Sequence, residues 1–306
     1  MEWRPHTNGF QSKWKMTMAR CLVTGHKGYI GSRLFKRLKE MGHEVMGIDQ
    51  KTDPSHDIIV DLAEGGDGKF HPHYYNFQPE YIFHLACWPR IGYSLEKPVE
   101  TMQNNVLAGS ILLNFAKKCG SVKRVIYSSS SSVVGNGAGP TNPYALQKYA
   151  TELEMNIYAG VFDLDTVSLR YFNVYSEDQS ATGPYATVVA HWLYSLEHGI
   201  EPYITGDGEQ RRDMVHVDDV VSANIFAMEH DDAFNGAVFD IGTGDNVSLN
   251  ELKDLVLEHH PDLNFNYVAP RPGEVASTTA DVEPLQELGW SAEISIQQGM
   301  RSCFSS

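Results

Sequence analysis

The sequence predicts an α/β protein built on a doubly wound parallel sheet, with a smaller C-terminal substrate-binding lobe. Three observations predict it. Short apolar runs alternate with helix-patterned stretches through the first half of the chain, which implies parallel strands joined by crossovers and covered on both faces. A glycine-rich turn, "TGHKGYIG" (24–31), joins the first run to the first helix. An acid, Asp49, ends the next run about 20 residues beyond that turn, as in Rossmann-type nucleotide folds.

The elements follow in order. "RCLVTG" (20–25) is short and apolar enough for a buried strand, and "YIGSRLFKRLKEMG" carries helical spacing. "HEVMGID" (43–49), "DIIVDL" (57–62) and "YIFHLA" (81–86) are further strands. Pro98 opens a helix through "VETMQNNVLAGSILLNFAKKCG", because proline suits a first helical position. "VKRVIYSSS" (122–130) is a strand, 142–160 a helix, and "DTVSLRYFNVYS" (165–176) closes the series. Beyond it the alternation loosens, with helical stretches at 184–198 and in "SLNELKDLVLEHH". The chain divides into an N-terminal extension (1–17), a Rossmann domain (18–175) and a substrate lobe (176–306), some elements of which return to the sheet.

Over 306 residues the net charge is −15, with 42% hydrophobic and 21% charged residues. This is the composition of a soluble globular protein, and it lacks the basic face that nucleic acid requires. No apolar run is long enough for a membrane span and the start lacks a signal-peptide core, so the expected location is cytoplasmic. Cys21, Cys87, Cys119 and Cys303 are scattered without metal-like spacing; Cys21 and Cys87 lie in apolar runs and are expected as buried free thiols. His71, His73, His259 and His260 have no third ligand nearby in sequence, so no metal site is expected.

In the glycine turn, Gly25 permits the tight bend, Gly28 lets a backbone approach a pyrophosphate, and Gly31 lets helix and strand pack closely. The helix that follows offers free N–H groups and a positive dipole end to phosphates. The spacing is GxxGxxG, and a purely structural turn has the same composition. Asp49 at the next strand end can accept both ribose hydroxyls and repels a 2′-phosphate, which favours NAD over NADP; capping a turn is its other use. Asp61, ending the third run, is a candidate for the adenine amino group.

"YSSSSSVVG" begins at the carboxyl end of a strand, the edge where doubly wound sheets bind ligands. Buried hydroxyls need partners, so most of these serines are expected to cap a turn, while one facing the cleft can bond a substrate oxygen. Tyr144 opens the following helix and Lys148 lies one turn later on the same face. An ammonium beside a phenol lowers its pKa, so Tyr144 is expected to exchange a proton near neutral pH. "YSLEK" offers a second Tyr–Lys spacing, Tyr93 and Lys97, but Lys97 precedes Pro98 and is pushed away from helix.

"TGHKGYIG", "HLAC", "YSSSSSVVG", "YALQK", "LRYFNVYS", "GDGEQRRDMVHVDD", "FDIGTG" and "RPGEV" follow one another in the order of extended short-chain dehydrogenases/reductases. From about residue 19 to 300 the chain resembles their NAD-dependent nucleotide-sugar epimerase/dehydratase family. The resemblance implies Ser130, Tyr144 and Lys148 as the catalytic group, with Lys148 also on the nicotinamide ribose. It implies cofactor contacts at Gly25, Gly28, Tyr29, Ile30, Gly31, Asp49, Asp61, Leu62, Leu85, Ala86 and Asn104. Asn173, Arg212 and Arg271 match contacts to the nucleotide-sugar diphosphate, and Glu274 a contact to its ribose. Planar guanidinium donors suit phosphate. For Arg212 a surface ion pair with Asp213, Asp218 or Asp219 is the alternative, Arg211 has no assigned role, and His216 is read as structural.

Dehydratases of the family carry an Asp-Glu pair after the catalytic serine or threonine, and decarboxylating relatives a glutamate; here Ser131 and Ser132 follow Ser130. The resemblance therefore implies a 4-epimerase acting on a UDP-sugar through a 4-keto intermediate. The substrate would be a plain hexose, an N-acetylhexosamine or a uronic acid. Thr278 falls where relatives place a gatekeeper that is a bulky tyrosine in plain-hexose enzymes, so a larger sugar is expected to fit. The short loop "NGAGPTN", Val134 for tyrosine, Pro89 for a phosphate-contacting lysine and Ser176 for glycine depart from the family pattern. A 4-keto-sugar reductase or dehydrogenase is the second enzyme reading, and a non-catalytic dinucleotide-binding regulator the third. Relatives dimerise through the helices around 99–117 and 143–160, which implies a homodimer.

Overall fold

A computed structural model describes residues 18–50, 72–135, 137–179, 187–270 and 275–305. The N-terminal extension, the run at 57–62 with Asp61 and Leu62, and Arg271 and Glu274 lie outside the described residues.

The first half runs β1 (Arg20–Thr24), α1 (Tyr29–Glu40), β2 (Glu44–Ile48), α2 (Pro72–Phe77), β3 (Tyr81–His84), α3 (Ile91–Glu96) and α4 (Pro98–Met102). A π-helical turn, Gln103–Leu107, leads into α5 (Ala108–Cys119), followed by β4 (Arg124–Ser130), α6 (Pro143–Phe162), β5 (Thr166–Tyr171) and β6 (Asn173–Tyr175). The second half runs α7 (Val188–His198), β7 (Tyr203–Thr205), β8 (Arg211–Arg212), β9 (Met214–His216), α8 (Val217–Glu229) and β10 (Ala237–Ile241). Then come β11 (Val247–Ser248), α9 (Leu249–Leu257), β12 (Asn266–Val268), β13 (Ser277–Thr278), α10 (Glu283–Glu287) and α11 (Ile296–Phe304).

Strand alternation builds the sheet. In β1, Cys21 and Val23 face one apolar cluster and Leu22 the other; in β4, Ile126 faces the first and Val125 and Tyr127 the second. One face is covered by α1 and α8 through Leu34, Leu38, Val220 and Ala223. The opposite face is covered by α5 and α6 through Leu112, Phe115 and Met155. The parallel sheet has the order β10-β5-β4-β3-β1-β2. The chain steps from β1 out to β2 and then back past β1 to β3, so a crevice opens at the carboxyl ends between β1 and β3.

The stretch 165–176, expected as one strand, is two. β5 lies in the large sheet, while β6 leaves it to pair with β9. This break sends the chain into the second lobe, which packs its own core around Trp192, Ile204, Leu252 and Met300. Farther along the chain, β10 lies at the edge of the large sheet, paired with β5 in parallel register, Ala237 opposite Val167.

A buried ion pair fixes the segment leading into β10. Arg124 Nε donates to Asp165 Oδ2 at 2.6 Å, and its other nitrogens donate to the carbonyls of Ala227 (2.6 Å), His230 (2.9 Å) and Asp232 (2.7 Å). Asp165 Oδ1 accepts the backbone N–H groups of Phe234 and Asn235, each at 2.9 Å. Removing one member leaves the other buried and unpaired. Arg124→Met is expected to lower unfolding free energy by about 3–5 kcal/mol, measured by urea denaturation.

Candidate active site

The crevice at the carboxyl edge of the sheet encloses about 1630 Å³ and extends from the glycine turn across β4 to the second lobe. Single-ligand pockets hold roughly 300–1,000 Å³, so there is room for a dinucleotide and a second ligand.

The turn is built by contacts that tolerate no side chain. Gly25 has φ of 73°, and a Cβ on it would lie 2.8 Å from Ala86 N; one on Gly31 would lie 2.1 Å from Gly25 O. A Cβ on Gly28 would meet only Gly25 O, at 3.1 Å, and Gly28 borders the crevice, so its missing side chain leaves the helix end open. Tyr29, Ile30 and Gly31 present the first turn of α1 to the same space, where helix N–H groups lack intrahelical acceptors. Asp49 follows β2 at the crevice wall, its Oδ2 accepting the Lys27 N–H at 2.9 Å. Leu85, Ala86 and Asn104 line the crevice as well, and Asn104 Oδ1 accepts from Gln50 Nε2 at 2.8 Å. A dinucleotide fits this set: a cradle of missing side chains, a helix start for the pyrophosphate and a carboxylate for a ribose.

Helix α6 starts cleanly because Asn142 accepts the Ala145 N–H at 3.0 Å and Pro143 occupies the first position. That start puts Tyr144 and Lys148 at the end of β4. Lys148 is buried and donates to the Ser128 carbonyl at 2.7 Å. Ser130 lies near enough to the Tyr144 phenol to lower its pKa, and its Oγ accepts from Ser132 Oγ at 2.9 Å. Ser129 donates to buried Glu152 at 2.5 Å, and Glu152 holds Arg170 of β5 through two bonds, at 2.8 and 2.7 Å. The serine run is thus mostly consumed in local pairing, with Ser130 left beside the phenol.

The second Tyr–Lys spacing is resolved by position. Tyr93 packs edge-on against Trp88 with centroids 5.3 Å apart, and exposed Lys97 reaches Glu100 at 4.0 Å. Ser94 of the same helix accepts the Tyr144 N–H at 3.0 Å, tying α3 to the start of α6.

Electrostatics differ from the expected neutral-range phenol. Burial raises the Tyr144 pKa above the ordinary tyrosine value; Lys148 pulls it down, Cys87 pushes it up, and Ser130 and Arg90 lower it without reversing the shift. Burial also works against the Lys148 charge, but Cys87, Tyr127 and Tyr144 around it outweigh that cost and raise its pKa. Beneath them His84, pressed to about 3 by burial and then by Lys148, is neutral and bonds Thr24 Oγ1 at 2.8 Å. Cys87, expected as a buried strand residue, lies past the end of β3 and borders the crevice half-buried.

The second lobe adds Asn173, Arg212 and Thr278 to the same crevice. Buried Asp213 sits among all three. Asp213 accepts from Thr243 N (2.8 Å) and Oγ1 (2.9 Å), Gly244 N (3.0 Å) and Ala280 N (3.0 Å). Its backbone carbonyl accepts from Asn173 Nδ2 at 2.8 Å, and its N–H donates to the Thr278 carbonyl at 3.0 Å. Asp219 accepts from Glu293 N and Ile294 N at 3.0 and 3.1 Å, and Arg212 Nη1 donates to the Arg211 carbonyl at 2.8 Å. Thr278 Oγ1 is buried with no hydrogen-bond partner in the described structure. Arg211, left without a role by its sequence, clamps Asn246 (2.6 Å) and Glu251 (2.9 Å), while His216 caps α8. Sequence reasoning missed Gln50, Cys87, Trp88, Arg90 and Asp213; the signal for the first four was their place just beyond β2 and β3, at the ligand edge.

A doubly wound nucleotide fold with a glycine turn and a Ser–Tyr–Lys set defines a protein of the short-chain dehydrogenase/reductase class. Comparison with known proteins narrows this. Residues 21–242 match the model of the NAD dependent epimerase/dehydratase family. A UDP-glucose 4-epimerase of Mycolicibacterium smegmatis is 32% identical over 315 residues, covering 92% of this chain and 96% of the relative. The crystal structure of a UDP-glucose 4-epimerase from Thermotoga maritima with UDP-glucose superposes with a TM-score of 0.85 at 32% identity, covering 94% and 97% of the two chains. MoeE5 in complex with UDP-glucuronic acid and NAD gives a TM-score of 0.82 at 32% identity, covering 92% and 97%. The chain belongs to the NAD-dependent epimerase/dehydratase family.

Asp213→Ala removes the acceptor of four hydrogen bonds in a buried position. We expect a loss of about 2–4 kcal/mol in stability, read by denaturant melts. We also expect weaker nucleotide-sugar binding with dinucleotide binding retained, read by calorimetric titration of each ligand.

Proposed function

We propose that the protein is an NAD-dependent 4-epimerase of a UDP-sugar. The observation that supports this most is the Ser130–Tyr144–Lys148 set facing the glycine turn across one crevice, followed at 131 and 132 by serines and not by the carboxylates that eliminating water requires. The proposed cofactor contacts are Gly25, Gly28, Tyr29, Ile30, Gly31, Asp49, Leu85, Ala86, Asn104 and Lys148, with Asp61 and Leu62 added by family resemblance.

The glycine turn, Asp49 and Lys148 would hold NAD, which would supply a reversible hydride acceptor at the sugar's C4. Tyr144 accepts the proton of the C4 hydroxyl and later gives it back. Lys148 stabilises the phenolate from its buried position behind the ring, and Ser130 donates to the C4 oxygen as it becomes a carbonyl. Asn173 and Arg212, with Arg271 and Glu274 by resemblance, hold the UDP moiety while the 4-keto ring turns over. Thr278 borders the crevice and, smaller than a tyrosine, leaves room for a substituent larger than that of a plain hexose.

We also propose a homodimer. On α6, Leu146, Leu153, Ile157 and Val161 form an apolar stripe at helical spacing, and Val161 is 68% exposed. Val99, Met102 and Leu107 extend it over α4 and the π turn, which pack beside α6. An apolar patch of this kind on a soluble protein marks a partner surface. Among the described residues no helix is long and apolar enough to cross a membrane, and the described cysteines are free, in keeping with work in the cytoplasm.

Incubating purified protein with UDP-sugars and no added NADH is expected to yield C4-inverted product; a requirement for stoichiometric NADH would instead support the reductase. Tyr144→Phe is expected to cut turnover about 10²–10⁴-fold with NAD still bound. The wild-type rate is expected to rise with pH as the phenol ionises. Lys148→Met, lacking the cation that lowers the phenol's pKa, should move that limb to higher pH in a pH–rate profile. Leu153→Glu is expected to convert a dimer into a monomer in sedimentation velocity.

A further inference from the structure

Arg90 stands out on three counts. Its φ of 113° and ψ of 125° are values that side-chain-bearing residues rarely adopt. Such strain costs on the order of 1–3 kcal/mol and persists only where the surroundings over-determine it. They do so here. Buried Asn105 clamps Trp88 from both sides, accepting its N–H at 2.7 Å and donating to its carbonyl at 3.2 Å. Buried Ser94 donates its N–H to the Arg90 carbonyl at 3.2 Å and its hydroxyl to the Ile91 carbonyl at 2.7 Å.

The guanidinium itself is unpaired. Among the described residues it makes no hydrogen bond and no ion pair, although it borders the crevice and burial weighs against its charge. The groups that face it are Tyr144 and Cys87, and neither is a carboxylate. Ser94, which holds the Arg90 carbonyl, also holds the Tyr144 N–H, so the Arg90 backbone is tied to the start of the helix that bears the phenol. A half-buried cation without a counter-charge is costly, and a ligand anion would complete it.

The chemistry of a pyranose says which anion. The carbinol that meets Tyr144 is C4. The diphosphate leaves from C1, across the ring. Of the two ring carbons flanking C4, C5 carries C6, which is a carboxylate in a hexuronic acid, and C3 carries a hydroxyl, which bears a charge only when an acidic ether is attached to it. We propose that Arg90 receives a carboxylate at C6, so that the preferred substrate is a nucleotide-activated hexuronic acid; this rests on the 4-epimerase reading of the same site. A guanidinium binds a carboxylate through two parallel N–H donors, which a hydroxymethyl group cannot reciprocate.

The test compares kcat/KM for UDP-glucuronate and UDP-glucose in the wild type, Arg90→Gly and Arg90→Lys. Glycine relieves the positive φ, so Arg90→Gly is expected to melt no lower than wild type. The wild type should favour UDP-glucuronate, and Arg90→Gly should reduce the UDP-glucuronate to UDP-glucose ratio about 10- to 100-fold, with Arg90→Lys in between and bound NAD unchanged. An unchanged ratio overturns the proposal. So does an equal loss on both sugars, which would put Arg90 on the shared diphosphate, or a loss of NAD, which would put it on the cofactor. If the wild type converts neither sugar, the 4-epimerase reading has failed. Calorimetric Kd values for the two sugars then decide on Arg90 alone, with equal weakening overturning it.

Discussion

The site depends on one buried ammonium. Lys148 sits within the protein at the junction of α6 and β4, donating to the Ser128 carbonyl at 2.7 Å and facing Tyr144, Tyr127 and Cys87. A cation in that position is stable only among dipoles and ionisable oxygens or sulfurs. It therefore selects its surroundings: a strand end that turns a carbonyl inward, a neutral histidine beneath it, and a phenol whose ionised form it favours. The Asn142 cap and Pro143 set where α6 begins, and so where in the crevice this charge stands.

A carboxylate plays the matching part across the crevice. Asp213 ties together the 242–244 turn, Ala280 and the strands bearing Asn173, Arg212 and Thr278. Its two oxygens are consumed by N–H and O–H donors, and the adjacent Arg212 borders the crevice. In the proposed function the two lobes would be a proton-transferring wall and an anion-holding wall. Strand β10 and the Arg124–Asp165 pair tie the later part of the chain to the large sheet.

Helix α6 carries three duties on three faces. Ala145, Thr151 and Met155 are buried, Tyr144 and Lys148 face the crevice, and Leu146, Leu153 and Ile157 face outward. Its low amphipathicity is explained by this division: apolar residues surround it because both its inner face and its proposed partner face want them. A contact on the outer face would brace the helix that aims the phenol.

Local patterns determined much of this protein. Alternating apolar strands, the glycine turn with Asp49 behind it and the one-turn spacing of Tyr144 and Lys148 are all short-range periodicities, and each is legible in the residues themselves. What the chain did not reveal depends on contacts between distant segments. The break between β5 and β6 arises because β9, some 40 residues on, offers a partner outside the large sheet. The raised pKa of Tyr144 comes from enclosure, and enclosure is a property of the assembled fold. Cys87 and Arg90 gain their place at the phenol only when α3 is pinned to α6 through Ser94. Spacing along the chain sets which side chains share a face; only tertiary packing sets which charges are stripped of water, and that is what made Arg90, among the described residues, a cation without a counter-charge near the phenol.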